Sequence, residues 1–128
     1  MAALPTVLLY GHDEGLIETR RMVLRRGGFD VHPVTGFSEF KRAGSLVEPD
    51  VVVLCHTLSQ KDVEEALRLT REQWPKAQQL ILTAGPHRFL DQTVSDVLDA
   101  NEGPEQLINH VAQLATVRSA LLQAAQTD

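Results

Sequence analysis

The stretch Thr6-Val7-Leu8-Leu9-Tyr10 runs directly into Gly11-His12-Asp13-Glu14, and the reading of that junction decides the fold. A near-continuous apolar run without alternation suits a strand buried on both faces, which is the setting of a central strand in a parallel sheet. Val51-Val52-Val53-Leu54-Cys55 is a second run of the same kind. Asp30–Val34, Gln79–Thr83 and Ser95–Leu98 are shorter strand candidates with less apolar character. Asp13 stands where the short carboxylate of a helix N-cap belongs.

Helical patterns separate these strands. Glu14–Arg26 carries Leu16, Ile17, Val23 and Leu24 as an apolar stripe and stops at Gly27-Gly28. Ser38–Leu46 reads as a short helix with Ser38 as its cap. Lys61–Trp74 has partial helical periodicity through Val63, Ala66, Leu67 and Leu69, and Pro75 closes it. Pro104–Gln126 is the clearest helix, with Pro104 in the first turn, Glu105 favourable to the dipole, and Leu107, Val111, Leu114 and Leu121 at helical spacing. The order is β-α-β-α-β-α-β-(short segment)-β-α. Right-handed crossovers turn it into an α/β fold with a doubly wound, five-stranded parallel sheet and helices on both faces. In such sheets the functional crevice lies beyond the carboxyl ends of the strands.

Composition sets the outer limits. The chain has 128 residues, enough for one compact core, so residues 1–128 read as a single domain with a core of about 5–117 and a helical extension to about 126. A net charge of -5 argues against nucleic acid as the main partner, because affinity for nucleic acid rests on cations at phosphates. The apolar runs are too short to span a bilayer, and the opening Met1-Ala2-Ala3-Leu4-Pro5 lacks the features of a secretion signal. One cysteine excludes an internal disulfide framework and fits a reducing, cytoplasmic setting. The basic cluster Arg20, Arg21, Arg25 and Arg26 reads as a solvated helix face, with a docking patch for an acidic protein as the alternative.

The residues also resemble a known family. Val7 to Glu14, Met22-Val23-Leu24, Gly28-Phe29-Asp30-Val31, Pro49 to Cys55, Trp74-Pro75, Leu80-Ile81-Leu82-Thr83-Ala84 and Gly103-Pro104-Glu105-Gln106-Leu107 are similar to successive landmarks of response-regulator receiver domains, the CheY-like group with a flavodoxin-like fold. The match covers nearly the whole chain and needs no gap until after the fourth strand. It implies a bacterial two-component or phosphorelay signalling module. In that family two acidic residues after the first strand hold Mg²⁺, and an aspartate after the third strand accepts the phosphoryl group. A Thr or Ser after the fourth strand and a Lys after the fifth contact its oxygens. Hard oxygen ligands and cations are what phosphoryl transfer needs.

Carried over by position, this set is dismantled. The acidic pair falls on Gly11 and His12, the acceptor on Cys55 and the lysine on Ala100; Thr83 alone keeps its identity. Thr83 is either a locally bonded hydroxyl or a remnant of the switch. Asp13 and Glu14 replace the missing pair only through an insertion that the ungapped match does not support. Cys55 reads as a small buried hydrophobe, or as a redox-active thiol if a nearby His⁺ lowers its pKa. No CxxC or HxxxH spacing turns Cys55, His56, His12 and His87 into a metal site.

Two surface features also depart from the family. Ala84–Val94 leaves room for at most two helical turns, so the fourth helix is shortened, and Phe89 and Leu90 either fill the space or present an anchor to a partner. The last helix, about 34 Å long if fully formed, has Leu107, Val111, Leu114, Leu121 and Ala125 near a heptad seam interrupted by Arg118. That stripe serves the domain's own core first, and a homodimer contact or a frayed tail second.

The sequence-level expectation is a stand-alone pseudo-receiver without catalytic residues, metal or cofactor, acting on other signalling proteins independently of phosphorylation. A Cys55-centred thiol sensor or small-ligand binder on the same fold is the alternative.

Overall fold

A computed structural model describes residues 4–84 and 94–126. Five strands, β1 (Thr6–Tyr10), β2 (Asp30–Val34), β3 (Val51–Leu54), β4 (Gln78–Thr83) and β5 (Asp96–Asp99), form one sheet in the order β2-β1-β3-β4-β5. All four pairings are parallel. The helices are α1 (Glu14–Arg26), α2 (Phe37–Ala43), α3 (Gln60–Gln73) and α4 (Pro104–Gln126).

The sheet is covered on both faces, which explains the unalternated strands. Successive residues of β1 and β3 enter opposite cores. Val7, Leu9, Val51, Val53 and Cys55 pack with Ile17 and Leu24 of α1 and with Leu107, Val111 and Leu114 of α4. Leu8, Tyr10, Val52 and Leu54 pack with Phe40 of α2 and with Val63, Ala66 and Leu67 of α3. Phe40 is the hub of this second core. It stacks on Tyr10 at 4.9 Å and meets Trp74 edge-on at 5.9 Å.

Local signals account for most boundaries. Asp13 caps α1 by accepting the Leu16 N–H at 3.1 Å, and Gly28, with φ 94°, supplies the left-handed turn that follows. Ser59 caps α3 through the Asp62 N–H. One expected cap is corrected: Ser38 lies inside α2, which begins at Phe37 behind Gly36, with no side-chain cap at all. That helix also ends at Ala43, short of Leu46, which is 76% exposed and contributes nothing to the core. The segment that holds the expected short fourth helix, together with Phe89, Leu90 and His87, lies outside the described residues.

At the amino edge of the sheet, Arg118 of α4 is tied to the loop before β3. Its Nη1 donates to Asp50 at 2.5 Å and its Nη2 to Glu48 at 3.0 Å. The other Asp50 oxygen accepts the Thr6 N–H at 2.7 Å, which joins β1, β3 and α4 at one carboxylate. Arg118 is therefore a buried structural residue and not part of an open seam. Leu107, Val111 and Leu114 are likewise buried against the sheet, leaving Val117 and Leu121 of that helix exposed. Among the described residues no helix is long and apolar enough to cross a membrane.

Candidate functional site

Parallel pairing delivers Gly11, His12 and Asp13 after β1, Cys55 after β3, Thr83 at the end of β4 and Ala100 after β5 to one edge of the sheet. Backbone bonds hold that edge in register: Gly11 N–H to Val34, Cys55 N–H to Tyr10, and Ala100 N–H to Thr83 at 2.7 Å. The order β2-β1-β3 makes the β1/β3 junction the topological switch point, where open α/β sheets form their crevice.

What fills that crevice is unlike a cation site. Gly11 has no room for a side chain: a Cβ there would stand 2.8 Å from Cys55 Cβ and 3.1 Å from Thr57 Oγ1. His12 is clamped instead. Its backbone N–H donates to Thr57 Oγ1 at 2.9 Å, its Nδ1 faces the Thr35 carbonyl at 3.0 Å, and its Nε2 faces Asp62 at 2.9 Å. Both ring nitrogens meet acceptors, so the doubly protonated imidazolium satisfies the arrangement best. The Asp62 bond, then the Thr35 carbonyl, raise the His12 pKa, and the same His12 bond lowers that of Asp62. Beneath the clamp Tyr10 meets the imidazole edge-on at 5.8 Å. Its buried hydroxyl has no hydrogen-bond partner, and burial, with Asp62 and Glu65 adding to it, pushes its pKa up to about 12.

Mg²⁺ does not fit these residues. It needs oxygen ligands in octahedral geometry. Gly11 offers none, His12 is already engaged, and Asp13 is committed to capping α1. Among the described residues no three His, Cys, Asp or Glu side chains converge as a metal cluster.

Cys55 is 1% exposed and belongs to the apolar core. Burial pushes its thiol pKa up, with Arg20 acting partly against it. A shallow pocket of about 100 Å³ beside it is lined by His56, Leu58, Gln60, Val63 and Thr83. Thr83 is buried at the strand end, while Ala100 packs against the core on the α1 and α4 side.

Arg20 departs from its expected place on a solvated basic face. It is partly buried, lines the groove between α1 and α4, and reaches the Cys55–His56 corner. Its Nη2 contacts His56 Nδ1 at 3.3 Å, and its buried Nη1 has no hydrogen-bond partner. Burial first, then Arg20, lowers the His56 pKa, so His56 is a neutral acceptor. The signal for Arg20 was in the spacing: it lies three residues after Ile17 and four before Leu24, on the face those two residues bury. Thr35, Thr57 and Asp62 carry no comparable signal, because two distant loops and the first turn of α3 bring them to His12. Of the neighbouring cations, Arg21 is paired with Glu18 on its own helix.

No family model and no curated protein matches the sequence. Solved structures do. A signal receiver domain of an HD domain-containing protein from Pseudomonas fluorescens superposes with a TM-score of 0.83 at 16% identity, covering 96% of this chain and 95% of that one. A CheY-like response regulator receiver domain protein from Methanospirillum hungatei gives 0.79 at 12% identity, with 91% and 98% covered. The receiver domain of a sensor histidine kinase from Pseudomonas aeruginosa, which has a magnesium ion coordinated in its active-site cleft, gives 0.77 at 19% identity, with 89% and 99% covered. The chain has the fold of a response-regulator receiver domain.

Proposed function

We propose that residues 1–128 form a single receiver-like signalling module that has exchanged phosphoryl chemistry for phosphorylation-independent binding of other signalling proteins in the cytoplasm. The observation that carries this reading is the His12 clamp. An imidazole bound at both nitrogens by Thr35 and Asp62 occupies the position where the resemblance requires a metal-binding carboxylate. The imidazole takes up the Asp62 carboxylate and offers no oxygen itself, while Gly11 and Cys55 provide no carboxylate for Mg²⁺. The module is non-enzymatic on this reading, and its degenerate edge serves to fix the surface that a partner recognises. The thiol-sensor reading draws less support, since a buried Cys55 with a raised pKa is a poor nucleophile.

The test is incubation of the protein with acetyl phosphate and Mg²⁺, followed by intact-mass measurement under conditions that preserve acyl phosphates. No phosphorylated species is expected. A stable adduct that disappears when Mg²⁺ is chelated would overturn the reading.

A further inference from the structure

We propose that the groove between α1 and α4, at the carboxyl edge of the sheet, binds a small amphipathic carboxylate with Arg20 as its charge anchor. The inference goes beyond the loss of phosphoryl chemistry and does not depend on it; either can fail alone.

Two observations meet in this groove. It is a concavity of about 260 Å³ whose walls are largely hydrocarbon: Leu16 and Val23 of α1, Leu82 of β4, Leu98 of β5 and Leu107 of α4. Ligand sites have this character, a mostly apolar hollow with very few polar groups to fix orientation. Arg20 supplies such a group, and among the described residues no carboxylate forms an ion pair with it, although Asp13 acts on the same His56 corner. Its hydrogen-bond partners are the His56 imidazole and the buried Cys55 thiol, both of them neutral. A guanidinium held partly out of water without a counter-charge is costly, and structures normally resolve that cost with a carboxylate.

Arg118 shows the resolved case on the same protein, since two carboxylates flank its guanidinium. Its Nε is also without a hydrogen-bond partner, so an orphaned nitrogen alone does not define a site. An uncompensated charge next to an apolar hollow does. Asp99 is the one acidic residue on the groove wall, and it does not fill the role. It is exposed, and its Oδ1 accepts the Asn101 N–H at 2.8 Å. Solvent screens its field more than it screens that of the partly buried Arg20.

The occupant follows from this chemistry. One anionic head suits one guanidinium, and a carboxylate matches its planar fork. An apolar body suits the leucine and valine walls. A dianionic or fully polar ligand would leave those walls without a partner and would crowd Asp99.

The experiment is an amide NMR titration of the ¹⁵N-labelled whole chain with sodium octanoate, beside 1-octanol and acetate as controls that keep one half of the chemistry each. Octanoate is expected to give saturable shifts centred on Leu82, Leu98, Ala100 and Leu107, with octanol and acetate at least roughly tenfold weaker. Arg20→Gln should weaken octanoate by roughly tenfold, while Arg20→Lys, which keeps the charge but not the planar fork, should fall between that variant and the parent. Three results would each overturn the proposal: no saturable shift at about 1 mM octanoate, octanol binding as tightly as octanoate, or Arg20→Gln binding unchanged. The lysine variant shows whether any loss seen in the glutamine variant is due to charge or to a disturbed fold.

Discussion

Two arginines, one at each edge of the sheet, meet opposite conditions. At the amino edge Arg118 has only 8% of its side chain exposed and is held by Asp50 and Glu48, and Asp50 also anchors the first residue of β1. At the carboxyl edge Arg20 meets only neutral partners, His56 at 3.3 Å and the Cys55 thiol, and one of its nitrogens has no hydrogen-bond partner. The first arrangement binds a long helix to the sheet and does nothing else visible. The second leaves a guanidinium without an ion pair among the described residues, at the edge where open α/β sheets place their ligands. Gly11 and Cys55 fill that edge with neutral groups, and Arg20 sets a charge beside them.

The largest effect should come from breaking the satisfied pair. Asp50→Ala removes the main counter-charge of Arg118 and the acceptor for the Thr6 N–H, so unfolding in urea should show a loss of roughly 3–5 kcal/mol. Glu48→Ala should cost no more than about 1 kcal/mol, because Glu48 is 75% exposed and its pairing is screened. If the two variants were equally mild, Arg118 would not be the anchor described, and the contrast with Arg20 would lose its reference point.

The carboxyl edge should respond in the other direction. Arg20→Met keeps the packing length and removes a charge that no carboxylate balances. Stability should stay within about 1 kcal/mol of the parent or rise, since apolar replacement of an uncompensated, partly buried ion removes a desolvation cost. A loss comparable to that of Asp50→Ala in the same urea measurement would mean that Arg20 is structural after all. A neutral outcome sharpens the contrast between the two edges.

Most of the scaffold is legible before any coordinates. Thr6–Tyr10 and Glu14–Arg26 are read to the residue, because an unalternated strand, an Asp cap and a Gly-Gly stop are local signals. Pro104–Gln126 is read equally well from its first-turn proline and leucine spacing. Ser38 misleads because a good capping residue at the second position of a helix looks the same in sequence as a cap, and Phe37, which stacks on Phe40 of the same helix, already belongs to the first turn. At the site, Gly11 and Cys55 are legible as neighbours after β1 and β3, because two unalternated parallel strands end there. The partners of His12 are not: Thr35, Thr57 and Asp62 arrive from three different loops or helix starts, 23 to 50 residues away in sequence. Arg20 lies between these cases. Its helical phase points inward, but membership in an arginine-rich stretch outweighs that phase when charge is read before periodicity.

The smallest expected effect tests whether the His12 clamp bears on stability at all. His12 has a raised pKa in the folded state, so its contribution is complete below the unfolded value of about 6.5 and is lost as pH rises through the higher folded value. Asp62 has a lowered pKa, so its contribution is complete above its unfolded value of about 3.9 and is lost as pH falls through the lower folded value. The pair therefore stabilises most in the mildly acidic range between those limits, where imidazolium and carboxylate coexist. With 43% and 29% of the two side chains exposed, the gain should not exceed about 1 kcal/mol. Urea midpoints measured for the parent and for His12→Gln across mildly acidic to mildly alkaline pH should differ most at the acidic end and converge as pH rises. Parallel curves would show that folding leaves the His12 pKa at its unfolded value, so that the clamp does not favour the imidazolium over the neutral ring. A convergence centred above the ordinary histidine range would instead fix the charge where the carboxylates of a phosphorylatable receiver would have to be.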